Sequence, residues 1–122
     1  MTIRLSGCCS CCSGRHDCYG PEFGLFLKLL EEHPNFWSKV SCPERLSQQG
    51  PPSYSDVIPF ARKVVESFPD RVLWGTDWPH PNMKSHMPDD GHLVDVIPHI
   101  ATTTELQHKL LVDNPMRLYW AC

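Results

Sequence analysis

Positive charge is scarce in this chain. Eleven lysines and arginines face fourteen acids, for a formal net charge of −3 over 122 residues. No basic stripe is available for a phosphate backbone and no polybasic cluster for an anionic membrane, so neither nucleic acid nor membrane is an expected partner. Long apolar runs are lacking too, since none approaches the roughly 20 residues of a spanning helix. The amino terminus has no apolar stretch of the signal-peptide kind, which makes a cytoplasmic location the expectation. Tyr119, not a cysteine, stands fourth from the end, which excludes a prenylation signal.

Cysteine is plentiful but lacks paired spacing. Five of the seven crowd into residues 8–18, where Cys9 and Cys12 form a C-x-x-C with His16 nearby. A structural zinc site joins two such pairs across a loop, and here Cys42 and Cys122 stand alone. The odd count also disfavours a disulfide scaffold. Residues 1–20, rich in Ser, Gly and Cys and without periodicity, therefore read as a disordered segment holding no metal. A zinc clip there is the lesser alternative.

Twelve prolines and seven glycines imply many short elements, and 41% hydrophobic with 20% charged residues implies one modest globular core. From Gly20-Pro21 onward the elements succeed one another cleanly. Residues 21–32 place Phe23, Phe26, Leu27 and Leu30 on one face, widened by Leu25 and Leu29, and predict a largely buried helix that Pro34 ends. Phe36–Ser41 reads as a strand, with a long loop after it over 42–53. Ser55 resembles an N-cap for a helix with Val57, Ala61, Val64, Val65 and Phe68 on one stripe. Arg71–Thr76 reads as a second, buried strand. Leu93–Ile100 predicts a helix broken at Pro98, and a last helix from Thr104 is ended by Asn114-Pro115. The alternation implies a parallel sheet with crossover helices, with the strands at 36–41 and 71–76 adjacent. Two strands leave both edges open and cannot cover three amphipathic helices, so the chain reads as part of a larger fold.

The densest chemistry comes after the second strand, in Trp74-Gly75-Thr76-Asp77-Trp78-Pro79-His80-Pro81-Asn82. The run delivers a carboxylate and an imidazole into an irregular stretch at the carboxyl end of a buried strand, where α/β enzymes place their reacting groups.

That stretch, together with Phe36-Trp37-Ser38-Lys39-Val40-Ser41, Pro43-Glu44-Arg45-Leu46 and the ending Leu111-Val112-Asp113-Asn114-Pro115-Met116-Arg117-Leu118-Tyr119, resembles the carboxyl-terminal third of the amidohydrolase-related family, in its lactone-hydrolase branch. The resemblance covers residues 21–122. It implies an α/β fold that is about the last two βα units of a (β/α)₈ barrel, usually about 250 residues long. It implies hydrolysis by water attack on a small carboxylated lactone of the 2-pyrone-4,6-dicarboxylate type. By this resemblance Asp77 is the catalytic residue that activates water, Arg45 clamps a substrate carboxylate, and His80 lines the same pocket as a substrate-binding residue. Glu44, Trp78 and Asn82 are read as supporting or packing residues, and His86, His92, His99 and His108 as surface. No cofactor is expected, with a divalent metal such as zinc as the alternative. The family's His-x-His is absent from this chain. Little or no turnover by the isolated chain, self-association through open sheet edges, a non-catalytic remnant and a metal-dependent relative are the remaining expectations.

Overall fold

The computed structural model describes residues 2–4, 20–81, 83–84 and 86–120. Three parallel strands form one sheet in the order β1 (Thr2–Arg4), β2 (Trp37–Ser41), β3 (Val72–Gly75). The register pairs Ser38 with Val72 and Ser41 with Gly75. The expected strands at 36–41 and 71–76 are thus adjacent and parallel. The third strand is a correction: Thr2–Arg4, within the leading segment read as unstructured, pairs with Trp37–Lys39. Residues 5–19 of that segment, with Cys9, Cys12 and His16, lie outside the described residues.

Helix α1 (Pro21–Glu32) has proline in its first turn, where a missing N–H costs nothing. It is less buried than its apolar pattern suggests. Phe23 and Leu30 are buried and Phe26 and Leu27 half-buried, but Leu25 is 59% exposed and Leu29 also faces outward. Its end is tied to the start of β2 by Arg71, which donates to the carbonyls of Leu30 (2.8 Å), His33 (2.9 Å) and Phe36 (3.1 Å). These acceptors include carbonyls that a helix terminus leaves unsatisfied.

After β2 the expected loop contains a short helix, α2 (Pro43–Leu46). Helix α3 (Ile58–Ser67) crosses between β2 and β3 and buries Ile58, Val64 and Val65. Its N-cap is Val57 and not Ser55, whose hydroxyl instead donates to the Gln49 side chain. The helix broken at Pro98 is two helices, α4 (Asp90–Asp95) and α5 (Ile97–Ile100), that part at Val96; Pro98 sits in the first turn of the second. Asp89 caps α4, accepting from the amides of Gly91 (2.7 Å) and His92 (3.3 Å).

The last helix also corrects its forecast. Thr103 caps α6 (Thr104–His108), but Asn114-Pro115 does not end the helical stretch. A π turn over Lys109–Asp113 leads into α7 (Asn114–Tyr119), with Pro115 in its first turn. Widening one turn accommodates a proline that would otherwise break the α ladder. Asn114, buried, donates to the carbonyls of Pro69 and Val72, both at 2.8 Å, and so fastens this stretch to β3. The core gathers Leu30, Val40, Val64, Val72, Leu93 and Leu110. No helix among the described residues is long and apolar enough to cross a membrane.

Candidate active site

Parallel register makes the site. Ser41 and Gly75 are paired at the carboxyl ends of β2 and β3, so the segments leaving those ends emerge side by side. One carries Cys42, Glu44 and Arg45, the other Asp77 and His80. Cys42 (φ 63°), Asp77 (φ 64°) and His80 (φ 58°) all adopt left-handed backbone. Such a conformation costs a non-glycine residue on the order of 1 kcal/mol, and it concentrates where side chains must be aimed.

Arg45 donates from Nη2 to Asp77 Oδ2 in a short ion pair between two half-buried groups. Two of the three residues singled out by the sequence are therefore in direct contact. His80 is 3% exposed, with Nε2 3.0 Å from Asp90 Oδ1 at the start of α4 and Nδ1 3.8 Å from Glu44 Oε1. It joins three segments: α2, the loop after β3, and α4.

Glu44 is the least expected member. Its side chain is fully buried, and neither carboxylate oxygen has a hydrogen-bond partner among the described residues. Burial pushes its carboxyl above the ordinary range, against the pull of its own backbone, His80 and Arg45. Burial likewise raises the Cys42 thiol, opposed by a contact with Ser41, and the Tyr54 phenol. Cys42, Glu44 and Asp77 each offer one donor atom within 4.8 Å of the others.

Trp78, read as packing, is instead 74% exposed. His86, His99 and His108 are exposed and His92 half-exposed, while Asn82 lies outside the described residues. An apolar cavity of about 90 Å³ lies between Val40 and Trp74 of the sheet and Val57, Ile58 and Ala61 at the start of α3, with Pro43 and Leu46 on its wall. None of Arg45, Asp77 and His80 lines it, so the polar chemistry lies elsewhere, at the strand ends.

Residues 15–120 match the family described as Amidohydrolase. The chain belongs to the amidohydrolase family. Among its amidohydrolase relatives, a 2-pyrone-4,6-dicarboxylate hydrolase of Comamonas testosteroni is 74% identical over 106 residues, 81% of this chain and 35% of that protein. A 4-sulfomuconolactone hydrolase of Hydrogenophaga intermedia is 42% identical over 101 residues, 81% of this chain and 33% of the relative. A crystal structure from Agrobacterium tumefaciens superposes with a TM-score of 0.72 at 33% identity, covering 87% of this chain and 37% of that one. The chain spans about a third of the length of the curated relatives it matches.

The amidohydrolase match begins at residue 15, ahead of Pro21, where the resemblance read from motifs begins. Asp90 carried no signal in the sequence beyond being an acid near a helix start. Its pairing with His80 depends on how the 81–89 segment returns to the sheet, which no spacing encodes.

Proposed function

We propose that this chain supplies the carboxyl-terminal βα units of a (β/α)₈ hydrolase that opens small carboxylated lactones. The observation that carries the reading is the Arg45–Asp77 pair at adjacent strand ends. A planar guanidinium suits a substrate carboxylate, which it can grip with two parallel hydrogen bonds. Both relatives named above are hydrolases whose names describe compounds with anionic groups, and this supports an anionic lactone as substrate.

In this reading Arg45 leaves Asp77 for the substrate carboxylate, and Asp77 becomes free to take a proton from water. The water oxygen bonds to the lactone carbonyl carbon, the ring C–O bond breaks, and the proton passes to the departing ring oxygen. One water is consumed and no oxidant or reductant is needed. His80, first read as a substrate contact, is buried between Glu44 and Asp90, which supports a positioning role under the Asp77 loop. The parallel sheet and the structural likeness at a TM-score of 0.72 support the barrel assignment. Bound by a third of such a barrel, the substrate meets only part of its wall, and a misplacement of about 1 Å can cost on the order of a hundredfold in rate.

The test is hydrolysis of 2-pyrone-4,6-dicarboxylate by the purified chain over hours, beside its Asp77→Asn variant. Slow turnover above buffer that vanishes in the variant is expected. Turnover equal in both proteins overturns the role of Asp77.

A further inference from the structure

Lys39 stands where a parallel sheet tolerates charge least. It lies in the middle of β2, the central strand, and such strands are usually continuous apolar runs because both faces are covered. Side chains alternate between the two faces along a strand. Val40 and its register partner Trp74 face the helices, since Val40 belongs to the core and Trp74 packs against it. Trp37, Lys39 and Ser41 therefore share the opposite face with Leu73 and Gly75, the face that a (β/α)₈ barrel turns inward. Layers of branched apolar side chains normally fill that interior. The amino end of this face is closed, because the Arg117 guanidinium sits 5.2 Å from the centre of the Trp37 ring. Lys39 turns the other way. A Cβ on Gly75 would meet its Cε at 3.5 Å and its Nζ at 3.8 Å. Gly75 is the register partner of Ser41, so the lysine stem runs along the sheet toward its carboxyl end. A large side chain at position 75 would occupy that path, and glycine leaves it open. The half-buried ammonium arrives just before Asp77 in the fold, and it makes no ion pair or hydrogen bond among the described residues. A cation brought there without a partner suits an anion that comes from outside.

We propose that Lys39 is a specificity-determining residue that holds a second anionic group of the substrate, and so selects dicarboxylated over monocarboxylated lactones. This rests on the reading that Arg45 grips one substrate carboxylate. Charge then calls for a second cation. The Arg45–Asp77 pair is neutral as a unit. Once Arg45 turns to one carboxylate, Asp77 and the other carboxylate remain as two negative charges in one site. Lys39 supplies the compensating charge from the sheet beneath them. An ammonium with three donors on a flexible stem can follow an anion whose position the rigid guanidinium has already fixed. In a partly desolvated place the pairing is stronger than at an open surface.

The test titrates 2-pyrone-4,6-dicarboxylate and 2-pyrone-6-carboxylate into the purified chain, Lys39→Met, Lys39→Arg and Arg45→Ala, with circular dichroism checking each fold. The parent should bind the dicarboxylate at least about tenfold tighter than the monocarboxylate. Lys39→Met keeps the apolar stem and should erase that preference by weakening the dicarboxylate alone. Lys39→Arg keeps the charge and should retain most of the preference, which a merely structural role does not predict. Should Lys39→Met unfold, reductive methylation of the parent with labelled methyl groups preserves the charge and gives a second reading. The NMR signal of Lys39 should move with the dicarboxylate and stay in place with the monocarboxylate. A preference that survives in folded Lys39→Met, equal loss of both ligands there, or an unmoved Lys39 signal would overturn the proposal and leave Arg45 untouched. Dicarboxylate affinity lost in Lys39→Met but unchanged in Arg45→Ala would keep Lys39 and remove Arg45 as the anchor. Neither ligand bound by the folded parent would overturn both.

Discussion

Arg45 and Asp77 are 32 residues apart in the chain and share a hydrogen bond in the fold. Both were legible as candidates because each lies just past a strand that the sequence marks clearly, and parallel strands deliver their outgoing loops to one end of the sheet. Their partners were not legible. Glu44 reads in sequence only as a supporting or packing residue beside an arginine, and folding shows it enclosed beside His80. A plainer residue carries a measurable consequence. Asp56 accepts from the Ser47 hydroxyl and from the Gln48 amide at 2.7 Å, holding together the loop between α2 and α3. Burial pushes its carboxyl up, but these hydrogen bonds outweigh it and leave the group below its usual range. A carboxyl lowered by folding stabilises fully above the unfolded value near 3.8, and that stability is lost as pH falls through the lower folded value. Asp56→Asn should therefore cost about 1 kcal/mol at pH 7 in urea unfolding, and the difference should vanish in strong acid. A loss independent of pH would mean that packing, not charge, holds the loop.

At the scale of elements, strands and amphipathic stripes were readable because burial writes itself into apolar periodicity. Endings were harder. Asn114-Pro115 looks like a stop, and locally it is one. The π turn at Lys109–Asp113 and the anchoring of Asn114 on β3 override it, and both depend on tertiary contact. Asn114→Ala removes two hydrogen bonds at a buried position and should cost about 2 kcal/mol, read as a lower urea midpoint at unchanged slope. A neutral result would show that the helix docks by apolar contact alone. Asp89 and Gly91 offer a second check. A Cβ at position 91 would meet Asp89 Oδ1 at 2.9 Å, so Gly91→Ala should disturb the α4 cap and lower stability by about 1 kcal/mol. Because α4 carries Asp90, the same variant should alter the environment of His80 seen by NMR.

At the scale of the whole molecule, the three-stranded parallel sheet has β2 in the centre and β1 and β3 at its edges, with no further strand paired to either edge among the described residues. We infer from those edges that the chain associates with itself as concentration rises. Hydrogen exchange resolves this residue by residue. Amides of β2, flanked on both sides, should exchange slowest in dilute solution, and the outward amides of β3 should gain protection as concentration increases. Outward β3 amides that stay fast while sedimentation shows a single monomer would remove self-association. The leading β1 escaped notice because three residues among cysteines and serines have no periodicity to read; pairing with β2 alone makes them a strand.

In the proposed lactone hydrolysis, Arg45 is the carboxylate anchor and Asp77 the base it releases. Binding separates the two even where turnover is slow. Titration of 2-pyrone-4,6-dicarboxylate into the purified chain, Arg45→Ala and Asp77→Asn should show affinity lost by at least about tenfold in Arg45→Ala, the value of one charge-assisted pair. Asp77→Asn should bind as well as the parent or better, since a neutral side chain competes less for Arg45. Affinity unchanged in Arg45→Ala, or lost in Asp77→Asn while Arg45→Ala still binds, would contradict both roles.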